Sequence, residues 1–339
     1  MSKPNREQQA GLFYATTDDG QELPIIDVSH PAFAIRLEDG EMERRLQEHA
    51  QVTEQHNRTP VFIQNIFLRF MMRRSRIMRA LSGAAGGFLG GMDTYILKLG
   101  PDNMHEPYAS NIDAQISGSF PGLVVRLRLQ YIAQLLADAL GPMLAAAPHD
   151  PLHLVNIGGG PAIDSLNALM LLQRSDAHLL ASRQTFVHVL DLDEAGPNFG
   201  RRALQALQGG DGPLRGLTIT FERLRYDWSD ATILKDLLRS IGSQALVAAS
   251  SEGALFEYGD DAVITDNLQA LDASAAGQPI VVGSVTRADE TGRLMNSSGA
   301  ALQMRGLDAF AALARSAGWR ITKQIDRPAG YDVLLRKLE

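Results

Sequence analysis

VNIGGGPAIDSLNAL, residues 155–169, joins an apolar run to a helix-forming run through three consecutive glycines. Read forwards it is a buried strand, a tight turn and the start of a helix. Glycines at Gly158, Gly159 and Gly160 allow the backbone to turn sharply and to approach a ligand closely. The helix that follows presents unpaired N–H groups and the positive end of its dipole, which suit a carboxylate or a phosphate. A strand–helix turn without any ligand uses the same residue types, so the flanking sequence decides.

Downstream, short β-rich runs alternate with helical stretches. The runs are LHLVNIG (152–158), TFVHVLDLD (185–193), LTITFERLR (217–225), ALVAAS (245–250), PIVVGSV (279–285), RITKQID (320–326) and YDVLLRKL (331–338). Apolar strands separated by helices predict a parallel sheet covered on both faces. Only RPAG separates the last two runs. That is too short for a crossover helix, so those two strands are expected to be antiparallel. Two further elements lie at strand ends, where open α/β sheets bind their ligands. Asp191, in VHVLDLDEAG, can accept both hydroxyls of a ribose, with Asp193 the second candidate. Asp227 and Trp228, in RLRYDWSD, pair an acid that can bond an adenine amino group with an aromatic that can cover the ring. Trp228 is one of two tryptophans in the chain and is equally suited to packing.

Taken together, the glycine-rich turn, the acid after the second strand, the Asp–aromatic pair after the third and the closing GW…PAGYDVLL hairpin resemble class I S-adenosylmethionine (SAM) methyltransferases. The resemblance covers roughly residues 120–339. It implies a seven-stranded, mostly parallel, doubly wound Rossmann-like sheet with the seventh strand antiparallel near the end. It also implies SAM as cofactor, with its methionyl part at Asn156 and Gly158–Gly160, its ribose at Asp191 and its adenine at Asp227 and Trp228. Where that family commonly carries an acid, this chain has Asn156, which can hydrogen-bond but brings no charge to the methionyl ammonium.

The substrate is expected beyond the carboxyl ends of the strands. The fourth run ends in AASSEGALFEYGDD, which sets Ser250, Ser251 and Glu252 against the transferred methyl. Glu252 is a candidate base, or a carboxylate that serves only the next helix start. Phe256 and Tyr258 are candidate pocket walls, and Ser284, Thr286 and Arg287 close the fifth strand. Ahead of the sheet, residues 24–120 are read as a helical extension: a cap over the site, a dimerisation region, or both. In it, GGMDTYILKLGPDNMHEPY offers Tyr95 and Tyr108 as substrate contacts and His105 as a second candidate base, beside a hinge-like glycine stretch at 83–91. A strong helix runs from Pro121 to about Leu144, and Arg126 on it can reach towards the SAM carboxylate. TPVFIQNIFLRFMMRRSRIMRAL (59–81) reads as one helix with Thr59 as its cap, and its five arginines at 68–79 are expected to be neutralised by the acidic helix at 40–48. Residues 1–23 read as a polar tail and 121–339 as the SAM-binding domain.

Composition bounds the function. The chain has 339 residues, 45% of them hydrophobic and 21% charged, with net charge −7. Such a balance disfavours nucleic acid as the partner, since phosphate-binding faces are basic. The absence of cysteine excludes disulfides and thiolate metal sites or nucleophiles, and no metal is expected. No apolar run reaches the about 20 residues of a membrane helix, and the polar start lacks a signal-peptide core, so the expected setting is cytoplasmic. The expected reaction is in-line methyl transfer to O, N or C of a small molecule. The alternatives are a SAM-using enzyme that does not methylate, an NAD-dependent oxidoreductase, or a binding protein that retains the fold. The oxidoreductase is disfavoured because the third glycine of its G-x-G-x-x-G turn would fall at Ile163.

Overall fold

Among the described residues, 9–83, 89–106, 108–273, 277–296 and 301–338, a hairpin, six α-helices and a short 3-10 helix (Pro101–Asn103) precede the sheet in the computed structural model. The hairpin pairs β1 (Tyr14–Thr16) with β2 (Glu22–Pro24) in antiparallel register. This differs from the polar tail expected over 1–23. Leu12, Ala15 and Leu23 are buried, and a few apolar residues spaced among polar ones suffice to seat the hairpin on the body. The helices are α1 (Glu41–Arg58), α2 (Val61–Arg74), α3 (Arg76–Gly83), α4 (Gly91–Lys98), α5 (Asn111–Gly118) and α6 (Phe120–Ala146). Neither α1 nor α2 buries a residue.

The run 59–81 is not one helix. Ser75 is extended and separates α2 from α3. Its buried hydroxyl donates to Asp113 Oδ1 at 2.5 Å, and the same carboxylate accepts the N–H groups of Ile77 and Ser110. Asp113 thereby caps the starts of α3 and α5 together, satisfying donors that a helix N-terminus leaves unpaired. Nor does the acidic helix neutralise the arginines. Glu41 pairs with Arg45 and Glu54 with Arg58 inside α1, Arg76 pairs with Asp93, and among the described residues no ion pair joins α1 to α2. The hinge expected at 83–91 falls largely on residues 84–88, outside the described residues.

The sheet follows: β3 (Leu152–Ile157), α7 (Ile163–Ser175), β4 (Gln184–Leu190), α8 (Ala195–Gln208), β5 (Thr218–Leu224), α9 (Thr232–Ser240), β6 (Leu246–Ser251), α10 (Leu255–Tyr258), α11 (Asp261–Asp272), β7 (Ile280–Thr286), α12 (Glu290–Asn296), α13 (Leu307–Ser316), β8 (Trp319–Arg327) and β9 (Gly330–Lys337). Strand order is β5-β4-β3-β6-β7-β9-β8. The first five pair in parallel, and β9 runs antiparallel to both neighbours. This is the seven-stranded arrangement the sequence implied, with α6, α7 and α8 packed on one face and α9, α11 and α13 on the other. Central strand β7 is buried at every position, as two covered faces require. Trp319 anchors the closing hairpin. It is fully buried, and its indole N–H donates to Leu268 O at 2.9 Å. Truncating such a residue typically costs about 3–5 kcal/mol.

One apolar core runs through both halves of the chain. Leu23, Ile25, Ile26, Ile77, Tyr95, Ile96 and Leu99 pack in the same cluster as α6, α7, α8 and the faces of β3, β4 and β7. The elements before residue 120 are therefore part of the body, and they reach the carboxyl ends of the strands.

Candidate functional site

The glycine turn after β3 is held open by its neighbours. Gly158 and Gly160 take φ of +65° and +53°, the left-handed region that glycine enters without cost. Ala162 follows at φ +53°, a conformation that costs a non-glycine residue about 1–2 kcal/mol, and α7 starts there without any side-chain cap. Backbone crowding explains the glycines further. A Cβ on Gly160 would lie 2.8 Å from the Cα of Gly91, at the start of α4, and one on Gly196 would lie 2.8 Å from the Cα of Gly160. Three glycines thus bring α4, the turn and α8 into backbone contact. A Cβ on Gly158 would meet the Trp228 ring at 2.7 Å and Ala254 at 2.8 Å. What a side chain there would strike is protein.

Asp191, just beyond β4, braces this turn. Its Oδ2 accepts the Gly160 N–H at 2.8 Å and its Oδ1 the Asp193 N–H at 2.9 Å. Burial pushes its pKa up, against the pull of those two bonds. Asn156 and Ser250 are neighbours across β3 and β6. The Asn156 amide donates to Ser250 Oγ at 3.0 Å and to Asp164 Oδ1 at 2.7 Å. Asn156 Oδ1 and Asp164 Oδ2 are buried without a partner, which is uncommon because each such atom loses its hydration uncompensated. Burial, reinforced by the charge of Glu252, raises the Asp164 pKa.

A cavity of about 320 Å³ opens from this turn. Gly158–Gly160 and Asp191 form one end. Its walls are largely apolar, from Ile77, Met78 and Leu81 of α3, Leu97 of α4, Ile116 of α5, Val124 and Val125 of α6, and Met295 and Leu302. Part of the lining is charged. Lys98 donates to Glu252 Oε2, Arg128 Nε to Glu252 Oε1 at 2.6 Å, and Arg128 Nη1 to Glu257 Oε2 at 2.8 Å. Arg327 holds Asp332 through two bonds of 2.5 and 2.7 Å. All five of these groups other than Asp332 line the cavity, and all are nearly out of water. Burial works to raise the Glu252 pKa, but Lys98 and Arg128 prevail and hold it below the usual carboxylate value. Asp332 goes the other way, pushed up by burial to about 6 despite Arg327.

The cavity brings together Gly158, Gly159, Gly160, Asp191, Glu252 and Tyr258. Burial raises the Tyr258 pKa to about 12, helped by Glu257. Asn156 and Ser250 lie buried directly beneath the turn. Other candidates are engaged elsewhere. Asp193 is exposed and accepts the N–H groups of Glu194 and Ala195 at the start of α8. Asp227 is exposed and closes a local turn with Ser229, whose N–H and hydroxyl hold its pKa down. Trp228 is half-buried against Gly158. Ser251 Oγ accepts the Leu255 N–H. Tyr95 touches the cavity with its ring, but its hydroxyl is spent on Pro24 O and the Ile26 N–H. Tyr108 donates to Asn103 O, away from the cavity lining. His105 is exposed and also outside that lining, so the geometry offers it no reacting group. Arg126 packs its guanidinium on Gly100 instead of entering the site.

Lys98 and Arg128 were not singled out from the sequence. A signal for Arg128 existed: Val124, Arg128 and Ile132 recur every four residues along the buried stripe of α6, and a charge on such a stripe must have a partner or a ligand. Lys98 ends an apolar helix, ILK, with no comparable pattern.

No family model matches the chain. No curated protein matches it in sequence. Solved structures do match in shape. A possible exported protein from Bordetella parapertussis is 14% identical, covers 92% of this chain and 100% of its own, and superposes with a TM-score of 0.50. The 1,6-didemethyltoxoflavin-N1-methyltransferase of Burkholderia thailandensis, solved with 1,6-didemethyltoxoflavin and S-adenosylhomocysteine, is 15% identical over 62% of this chain and 79% of its own, at a TM-score of 0.40. The mitomycin 7-O-methyltransferase is 15% identical over 78% and 66%, at 0.39. At these identities the likeness is one of fold, and function has to be argued from the site.

Proposed function

We propose that this chain is a SAM-dependent methyltransferase that acts on O, N or C of a small molecule. The observation that carries the reading is the Asp191 carboxylate, half-buried at the cavity wall and tied to the glycine turn beside it. Its two oxygens each keep a lone pair free for the adjoining hydroxyls of a ribose. The unpartnered Asn156 Oδ1 and Asp164 Oδ2 beneath the turn fit the same group, because a buried acceptor gains most from a donor such as the methionyl ammonium. When bound, SAM supplies a methyl group on a positively charged sulfur, which is already electrophilic.

The residues of the chain then have a simple task. The walls from α3, α4, α5 and α6 exclude water and hold the acceptor in line with the methyl group. Orientation of this kind can lower a barrier by as much as about 7–11 kcal/mol. Glu252, with both oxygens committed to Lys98 and Arg128 and its pKa lowered, organises those cations instead of accepting a proton. Calorimetric titration of the full chain with S-adenosylhomocysteine and with NAD tests the reading. Saturable binding of the first and none of the second is expected; the reverse would overturn it.

A further inference from the structure

The cavity lining also carries a charged cluster that the proposed cofactor contacts do not use. Its three cations come from three separate elements, the last residue of α4, the middle of α6 and the end of β8, and they converge on one space. Around them the acceptors are used up. Both Glu252 oxygens and both Asp332 oxygens are already bonded, and one oxygen of Glu257 as well. The donors are not: an ammonium carries three N–H groups and a guanidinium five, so the five bonds of the cluster leave most of them unspent. Arg128 Nη2 lies against Gly253, where a Cβ would collide with the guanidinium. The Thr286 hydroxyl, in the same lining, is buried without a partner.

Asp332 is fully buried behind Arg327 and does not line the cavity. With Asp332 bonded to Arg327, the cluster sets three cations, Lys98, Arg128 and Arg327, against three carboxylates, so its excess is one of donors. Unspent cationic donors out of water are costly unless an acceptor reaches them, and a carboxylate offers about four lone-pair sites and charge-assisted bonds roughly twice as strong as neutral ones.

We propose that Lys98, Arg128 and Arg327 form a carboxylate-binding subsite for the methyl acceptor, so that the acceptor is a small organic acid whose apolar body lies along the walls from α3 and α6. This deepens the function proposed above and rests on it.

The test uses hexanoate and its amide, hexanamide, as probes, titrated into the full chain saturated with S-adenosylhomocysteine. Hexanoate is expected to bind at least tenfold more tightly than hexanamide, about the least a hydrogen bond to a charged group contributes. Lys98→Met is expected to remove that preference while leaving S-adenosylhomocysteine affinity unchanged, which also reports that the variant is folded. Equal affinity for the two probes in the unmodified chain overturns the proposal and needs no variant. So does a Lys98→Met protein that keeps hexanoate but loses S-adenosylhomocysteine, because the cations would then hold the cofactor's own carboxylate. If the unmodified chain binds hexanoate selectively but never S-adenosylhomocysteine, the methyltransferase reading fails and the subsite stands.

Discussion

Asp191→Ala removes the one carboxylate that the account gives to the cofactor ribose. In the free protein its oxygens accept the N–H groups of Gly160 and Asp193 at 2.8 and 2.9 Å. Loss of a hydrogen bond to a charged group costs about 1.5–3 kcal/mol. Ribose binding through this carboxylate therefore predicts S-adenosylhomocysteine affinity lower by about tenfold to 150-fold. The freed Gly160 N–H adds a smaller, structural loss of about 1 kcal/mol, or roughly 2–4 °C in Tm for a chain of this size. Asp191→Asn retains one carbonyl acceptor and should fall between the two. Asp193→Ala is the control: that side chain is exposed and serves only the start of α8, so affinity should stay within about twofold. Calorimetry gives the affinities and a thermal melt gives the stability of each variant. A folded Asp191→Ala protein that binds normally, or a larger effect at Asp193, would refute the assignment.

Arg128→Met leaves Glu252 and Glu257 buried with one partner fewer and none, respectively, and should lower unfolding free energy by about 3–5 kcal/mol; a urea midpoint unchanged from the parent would contradict this. His153 bonds His188 at 2.8 Å, and His188 bonds Glu222. Burial and the neighbouring His188 depress the His153 pKa from 6.5 to about 4. The unfolded chain then takes up the proton first, so this group costs stability as pH falls from about 6.5 towards 4. Asp332, raised to about 6, works in the opposite direction, so the informative quantity is the difference between the parent and His153→Gln. That variant should lose less stability between pH 7 and 5, and parallel urea-midpoint curves would count against it. Finally, Val61, Phe62, Ile63, Ile66, Phe67 and Phe70 of α2 are 44% to 69% exposed, a density of apolar surface that monomers rarely leave in water. Light scattering should find a dimer that Ile63→Glu with Phe67→Glu converts to monomer without loss of S-adenosylhomocysteine binding, since no residue of α2 lines the cavity; a monomeric parent would end that idea.

The sheet was legible because its signals are local. Each of the seven runs is apolar and bounded by polar or glycine residues, and RPAG alone forces β8 and β9 to be antiparallel. Asp191 and the three glycines were legible because a strand end followed by a turn has few ways to fold. What escaped depends on residues far apart in the chain. The break at Ser75 needs Asp113, which the helical period of 59–81 does not foresee. The hairpin over 14–24 is stable only because Leu12, Ala15 and Leu23 find the body of the protein. Asp227 reads as an adenine partner, and its bonds to Ser229, two residues on, are not foreseen by that reading. The Lys98–Glu252–Arg128–Glu257 cluster joins α4, α6, the end of β6 and α10, and its members look like ordinary surface charges until the helices pack.

The central claim is methyl transfer from SAM to a small molecule, and it can be measured without knowing the acceptor. The full chain is incubated with SAM labelled on the methyl carbon and a small-molecule extract, with Asp191→Ala in parallel. The account predicts that label moves into an extract component retained on an anion exchanger, with S-adenosylhomocysteine formed in equal amount, and that Asp191→Ala slows both together. Tight SAM binding with no label transferred to any component of extracts in which the chain is active in the cell would contradict it.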